Sequence, residues 1–156
     1  MRERIDGVVD ALDTTIRDIR GAIFELRSPA ASDVRTQIRD LLAEARQTLG
    51  FRPQLTPDGP VGSALPEPVA AGLLAVLREA LSNVARHAHA TTVRVGVALA
   101  DGRLTVTVVD DGQGIEQTDR RSGLDNMHRR AEELGGGFAI GPTSPHGTTV
   151  TWSVPV

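Results

Sequence analysis

The stretch Val106-Thr107-Val108-Val109-Asp110-Asp111-Gly112-Gln113-Gly114 decides the fold, because a run of alternating valines leads directly into an acidic, glycine-spaced turn. An earlier run over residues 93–99 alternates in the same way, and Asp101-Gly102 separates the two runs. Alternation with a period of two on both sides of an Asp-Gly pair predicts a β-hairpin. The second strand of this hairpin ends at Asp110.

Upstream of the hairpin, residues 69–88 have the periodicity of a helix with one apolar and one polar arc. The polar arc consists of Arg78, Glu79, Ser82, Asn83, Arg86 and His87. Before it we expect a helix from an N-cap at Ser32 to Gly50 and one short strand at residues 52–56. These segments predict helices that pack on the hairpin.

Downstream of the hairpin, a helix is expected over residues 124–134, and it ends at the glycines 135–137. Alternating apolar residues then predict a last hairpin, with strands around residues 138–140 and 150–154.

The first 27 residues carry a heptad seam. Seven apolar residues are spaced alternately by four and three: Ile5, Val9, Leu12, Ile16, Ile19, Ile23 and Leu26. A strict seam is typical of a bundle or dimer helix, although an amphipathic helix lying on its own domain has a similar pattern. We expect residues 1–28 to pair with another helix.

The composition excludes several classes of function. All 17 basic residues are arginine and cysteine is absent, so no lysine amine, thiol nucleophile or disulfide is available. A formal charge of −3 provides no basic field for a nucleic acid, and no stretch approaches the ~18 apolar residues of a membrane span. We expect a cytoplasmic region that contacts neither nucleic acid nor membrane, whether its parent protein is soluble or membrane-anchored.

Glu79 and Asn83 stand one helical turn apart, so their side chains can face one ion. Carboxylate and carboxamide oxygens are hard ligands that suit Mg²⁺, which takes its remaining ligands from water and phosphates. Taken alone, this spacing is also that of a solvated helix face.

Three further motifs offer groups that could bind a flat ring with an exocyclic amine, or an anion. Asp110 can accept from an exocyclic amine, while Gly112 and Gly114 let backbone pass close to a flat ring. Gly123 at the start of a helix leaves backbone N–H groups for an anion. In His146-Gly147-Thr148 a hydroxyl and an N–H could reach a phosphate. Each motif alone also fits a plain turn, core packing or a loop.

In this order and with these intervals, the four motifs resemble the N box and the three glycine boxes of the GHKL, or Bergerat, ATP-binding fold, which sensor histidine kinases share with DNA gyrase and MutL. Two segments look like the histidine kinases related to the nitrate/nitrite sensors: Arg78-Glu79-Ala80-Leu81-Ser82-Asn83-Val84-Ala85-Arg86-His87-Ala88 and Gly123-Leu124-Asp125-Asn126-Met127-His128-Arg129-Arg130-Ala131. The resemblance covers residues 30–156. The heptad segment is similar to the second helix of that family's dimerisation and phosphoacceptor bundle, and also to the mycobacterial haem-sensing dormancy kinases.

The resemblance implies an α/β two-layer sandwich, in which a mixed sheet has helices on one face and the heptad helix precedes it. It implies that Asn83 ligates Mg²⁺, that Glu79 orients a metal-bound water and that Asp110 accepts from the adenine amine of ATP. Further contacts to the nucleotide are implied for Arg86, His87, Gly112, Gly114, Gly123, Leu124 and Thr148. Arg86 stands where the superfamily often has a lysine, and the lid between Gly114 and Gly123 has only eight residues.

The implied function is that of the ATP-binding catalytic domain of a sensor histidine kinase. Such a protein transfers the γ-phosphate of ATP to a histidine and then to a response regulator with a DNA-binding output domain, and it forms a homodimer through the N-terminal helix. None of the four histidines here is followed by an acid, so the family's phosphoacceptor box is missing. The alternatives are a regulatory interaction module with a closed or degenerate nucleotide pocket and an anti-sigma factor serine kinase.

Overall fold

The computed structural model describes residues 33–58, 61, 65–114 and 121–156, together with positions 12, 15, 16 and 19. The chain divides into two compact units, Met1–Ser32 and Asp33–Val156. In the first unit Leu12, Ile16 and Ile19 are helical, and their exposed fractions are 56%, 47% and 53%. The other residues of the heptad seam lie outside the described residues.

The second unit is an α/β sandwich around one five-stranded sheet with the strand order β1-β2-β3-β5-β4. The strands are β1 (Gln54–Asp58), β2 (Val93–Ala100), β3 (Arg103–Asp110), β4 (Gly137–Pro142) and β5 (Thr148–Pro155). β1 runs parallel to β2 and every other pair is antiparallel. The expected mixed sheet with helices on one face is therefore confirmed.

The hairpin of β2 and β3 forms in the register that the alternation predicts. Val95 lies opposite Val108 and Val97 opposite Val106, and all four are buried. The connecting residues Asp101 and Gly102 have φ angles of 51° and 69°. Two positive φ values are what a tight two-residue hairpin turn requires, which explains the Asp-Gly pair.

The N-cap of helix α1 (Val34–Leu49) lies one residue later than expected. Asp33 is the N-cap, and its carboxylate accepts from the backbone N–H of Arg35 at 3.1 Å, so the assignment of Ser32 was wrong. The helix ends as expected at Gly50, which has a φ of 81°. β1 lies two residues beyond the expected strand, and because it is an edge strand it tolerates Pro57.

Helix α2 (Glu67–Asn83) continues into a π-helical turn, Val84–Ala88. The expected apolar arc is buried, and the helix also buries Leu73 and Val76. Contrary to the expectation from the sequence, the stretch Glu67–Ala88 is long and apolar enough to cross a membrane by length and composition alone. Half of its apolar window is buried inside the fold, because this helix packs against the sheet.

Helix α3 (Arg121–Glu133) begins three residues before the expected start, so Gly123 lies within its first turn instead of opening it. Its end is closed by two backbone bonds, from Gly135 N–H to Glu132 O at 2.9 Å and from Gly136 N–H to Ala131 O at 2.8 Å. This pair of bonds is a Schellman motif, and the helix ends at the glycines as the sequence predicts.

Gly136 also fixes how the end of α3 meets β5, because a Cβ atom there would overlap the carbonyl oxygen of Ser153. We expect Gly136→Ala to lower the free energy of unfolding by about 1 to 3 kcal/mol, since backbone must shift to admit the methyl group. Gly137→Ala is the matched control, because nothing lies within 4 Å of an added Cβ at that position. Urea unfolding followed by the emission of Trp152, the single tryptophan and fully buried, measures both variants. Equal unfolding midpoints for the two would contradict the contact.

Candidate functional site

A cavity lies where β3 ends and β5 begins, between the sheet and the helices α2 and α3. Its polar lining consists of Asn83, Asp110 and Thr148. Its apolar lining consists of Ala80, Val84, Val108, Leu124, Ile140 and Val150. The free volume is about 10 Å³, which is room for one water molecule. A flat ring is much larger than this free volume, so side chains that line the cavity must move to admit one.

Asp110 lines this cavity, and backbone N–H groups hold its carboxylate in place. It is the last residue of β3, 5% exposed, and it pairs in register with Val93 on one side and Thr148 on the other. Its Oδ1 accepts from the N–H of Gly112 at 2.9 Å and from the N–H of Thr148 at 3.3 Å. Because both bonds go to the same oxygen, the carboxylate has a fixed orientation.

Thr148 opens β5 beside Asp110 and is 2% exposed. Its hydroxyl oxygen is buried with no hydrogen-bond partner, although buried hydroxyls are normally paired. Its N–H donates to Asp110 Oδ1 at 3.3 Å, so this N–H is already engaged within the protein. The hydroxyl is available to a ligand in the cavity.

The two glycines after Asp110 lie where a side chain would not fit or would be strained. A Cβ on Gly112 would overlap the carbonyl oxygen of Ala88, at the end of the π-helical turn. Gly114 has a φ of 87°, which L side chains rarely adopt. Gly112 therefore lets the chain pass close to the end of the π-helical turn, and Gly114 lets it adopt a left-handed conformation two residues later.

The metal candidates lie one turn apart at the end of α2. Asn83 lines the cavity, whereas Glu79 lies against the first turn of α3, where a Cβ on Gly123 would overlap its carboxylate. Leu124, next along, reaches the cavity wall. Within the described part of the chain, no group of three or more His, Cys, Asp or Glu side chains could hold a metal ion. Glu79 therefore belongs to no such group among the described residues.

Arg86 and His87 do not line the cavity. They belong to the π-helical turn, which is wider than an α-helical turn, so the α-helical periodicity does not give their direction. Arg86 is exposed and His87 is half-buried. The structure thus brings Asn83, Asp110, Leu124 and Thr148 together and leaves these two beyond the cavity.

Three residues to which the sequence analysis gave no role of their own lie in or next to the turn that follows Asp110. The carboxylate of Asp111 accepts from Thr91 N–H at 2.7 Å, from the Thr91 hydroxyl at 2.5 Å and from Thr92 N–H at 2.9 Å. The Thr91 hydroxyl, followed by the N–H of Thr92, holds the pKa of the Asp111 carboxyl far below its usual range, so this group is ionised at neutral pH.

The other two are Gln113 and His146. Gln113 binds the carbonyl oxygen of His87 through its side chain, at 2.8 Å. Nδ1 of His146 lies 2.7 Å from the carbonyl oxygen of Asp111, and because a carbonyl only accepts, Nδ1 carries the ring proton. Their polarity was visible in the sequence, but none of these partners is close along the chain.

Comparisons with known proteins agree with this geometry. The family described as histidine kinase-, DNA gyrase B-, and HSP90-like ATPase matches residues 69–156, which include all the residues of the cavity. The chain is 30% identical over 162 residues to the sensor histidine kinase NarS of Mycobacterium tuberculosis, with 99% of this chain and 37% of NarS covered. It is 32% identical over 155 residues to the nitrate/nitrite sensor protein NarQ of Escherichia coli, with 92% of this chain and 26% of NarQ covered.

Among solved structures, the chain is similar to the histidine kinase domain of a blue-light activated histidine kinase from Erythrobacter litoralis. The TM-score is 0.65 at 20% identity, and the match covers 84% of this chain and 67% of that one. At this identity the likeness supports the fold alone.

The curated relatives are much longer, since the chain spans about a third of the length of NarS. Their names confirm the resemblance to the histidine kinases related to the nitrate/nitrite sensors, while the finer likeness to haem-sensing kinases stays a prediction. The comparisons do not support an anti-sigma factor kinase or a degenerate module. The chain belongs to the family of histidine kinase-, DNA gyrase B-, and HSP90-like ATPases. Within this family it belongs with the ATP-binding catalytic domains of sensor histidine kinases.

Proposed function

We propose that this domain binds Mg-ATP at the cavity between β3, β5 and α2 and holds the γ-phosphate for transfer to a histidine of the intact kinase. One observation carries the proposal: the fixed carboxylate of Asp110 and the hydroxyl of Thr148 line the same cavity, and this hydroxyl is buried without a hydrogen-bond partner. One strong acceptor and one unpaired hydroxyl at an apolar wall match the edge of an adenine ring.

The orientation of Asp110 assigns a task to each of its oxygens. Oδ1 is engaged by the N–H groups of Gly112 and Thr148, so Oδ2 is the atom that accepts from the adenine amine. The apolar side chains that line the same cavity suit the faces of the base, and Gly112 and Gly114 shape the turn after Asp110. Thr148 serves the same edge of the ring through its hydroxyl.

Asn83 would hold the magnesium ion. Its carboxamide is a hard oxygen ligand at the end of α2, and Mg²⁺ takes the remaining positions from water and phosphate oxygens. Glu79, one turn earlier on the same helix, would orient a water molecule of that ion. When bound, the ion would neutralise charge on the phosphates.

The phosphates would lie toward the first turn of α3 and the π-helical turn. The first N–H groups of a helix have no partner within it, and that of Gly123, the third residue of α3, belongs to this set. Leu124 follows Gly123 in the same turn and would lie beside the phosphates. Arg86 and His87 stand in the π-helical turn that directly follows Asn83. With no lysine in the chain, backbone N–H groups and the arginine fork would take over the binding of phosphate oxygens.

For the whole protein we propose transfer of the phosphoryl group from the histidine to a response regulator with a DNA-binding output domain, and a location of this region in the cytoplasm. Residues 1–28 would be the second helix of a dimerisation and phosphoacceptor bundle, and residues 30–156 the catalytic domain. The exposure of Leu12, Ile16 and Ile19 in a single chain supports pairing of that helix in a homodimer.

Asp110→Asn tests the adenine assignment. Oδ1 is engaged by two N–H donors, so the new amide must place its NH₂ at the position of Oδ2, where it faces the adenine amine donor to donor. We expect ATP affinity to fall by about one to two decades, since a hydrogen bond to a charged group is worth ~1.5 to 3 kcal/mol. Inosine triphosphate, whose exocyclic 6-oxo group accepts a hydrogen bond where adenine has its amine, should lose much less. Calorimetric titration with both nucleotides measures this, and Asp40→Asn on the exposed side of α1 is the control. Equal losses for the two nucleotides would show that Asp110 does not read the amine.

Asn83→Ala tests the metal assignment. Loss of a ligand should weaken ATP binding in Mg²⁺ by at least about tenfold, since even residues that only support metal ligands contribute about 10- to 100-fold. Binding with EDTA present should stay within about twofold of the unmodified protein. Asn126→Ala on the exposed side of α3 is the control. A loss of the same size with and without Mg²⁺ would remove Asn83 from the metal site.

We also expect this chain to bind ATP without labelling itself. Transfer requires a neutral imidazole supported by an acid, and none of the four histidines is followed by one. Incubation with labelled ATP should give no acid-labile phosphoprotein, whereas addition of a bundle segment from a related kinase, carrying a histidine followed by an acid, should give labelling of that segment. Robust labelling of this chain alone would show that one of its own histidines reacts.

A further inference from the structure

Side chains alternate in direction along the turn from Asp110 to Gly114. Asp110 faces the cavity, whereas Asp111 and Gln113 point to the segment that follows α2. The proposed contacts to nucleotide use only the first, third and fifth residues of this turn. The second and fourth residues are thus polar side chains that the proposed function has not employed.

Gln113 caps the π-helical turn from another part of the chain. The last carbonyl groups of a helix have no partner within it. Two consecutive carbonyls are satisfied by Gln113, whose backbone N–H donates to Ala88 O at 2.8 Å and whose side chain donates to His87 O at 2.8 Å. Gly112 lets the two segments come this close, because a Cβ there would overlap Ala88 O.

Asp111 binds Thr91 and Thr92, which follow the π-helical turn along the chain. Its carboxylate receives both backbone N–H groups of Thr91 and Thr92 and the Thr91 hydroxyl, so one side chain takes up three donors. Between the two attachments His89 has a φ of 50°, and this left-handed position ends the helix. The segment from His87 to Thr92 is therefore attached to the turn at both ends.

We propose that Gln113 and Asp111 are positioning residues, which set the π-helical turn carrying Arg86 and His87 at a fixed distance from Asp110. This inference rests on the proposed function, in which Asp110 binds adenine and the π-helical turn faces the phosphates. The adenine and the phosphates of one nucleotide would then be bound by two segments that are hydrogen-bonded directly to each other. The affinity of a ligand that contacts both Asp110 and the π-helical turn should depend on these hydrogen bonds. The affinity of a ligand that contacts only Asp110 should not.

The test compares Mg-ATP with adenosine, which has the base but no phosphates. Gln113→Ala removes the side-chain donor to His87 O and should weaken Mg-ATP about three- to tenfold, as expected for one hydrogen bond, while adenosine stays within about twofold. Gln113→Met keeps the length of the side chain without a donor and should give the same result. Asp111→Asn, which loses the oxygen that binds the Thr91 hydroxyl, should act in the same direction.

Gln47→Ala on the exposed side of α1 is the matched control and should leave both affinities unchanged. Thermal unfolding of each variant shows that the fold persists, and Gln113 is exposed, so its replacement leaves the core intact. Equal losses for the two ligands, or no loss for either, would overturn the positioning role. If the unmodified chain binds neither ligand, the proposed function fails first, and this inference fails with it.

Discussion

The second unit is organised around one buried carboxylate at the end of a central strand. Asp110 sits where β3 meets both β2 and β5, and its Oδ1 gathers the N–H groups of Gly112 and Thr148. A buried carboxylate without such partners would be costly, so the chain on both sides must turn to supply them. That requirement fixes the path after β3, the start of β5 and the depth of the cavity between them.

The helices approach this carboxylate closely at two glycines. Gly112 lets the turn after Asp110 touch the carbonyl of Ala88, and Gly123 lets the first turn of α3 touch the carboxylate of Glu79. In both cases a single methyl group would overlap an oxygen atom of α2 or of the π-helical turn that continues it. Both ends of the candidate site are therefore attached to the same helix, which is itself buried against the sheet.

Much of this arrangement was predictable from local pattern. Alternating valines gave the register of β2 and β3, and the glycines after α3 gave its end, because both depend on neighbours along the chain. The N-cap at Asp33 was missed because Ser32 is an equally good capping residue. The π-helical turn and the bonds of Asp111 and Gln113 depend on partners about 20 or more residues away, and periodicity carries no information on such partners. Asn83, Asp110 and Thr148 come from three separate motifs and line one cavity, whereas Arg86 and His87 do not line it.

The small free volume of the cavity has a mechanical consequence for the rest of the site. Leu124 forms part of the wall, and Gly123 beside it lies against Glu79, so the two contacts belong to one helical turn. Consecutive residues in a hydrogen-bonded turn do not shift independently, because the backbone bonds of that turn hold both. Widening the cavity by displacing the backbone at Leu124 therefore also moves Gly123 relative to Glu79, whereas a change of the Leu124 rotamer does not. The two ends of the site are thus linked through α3 as well as through the turn after Asp110.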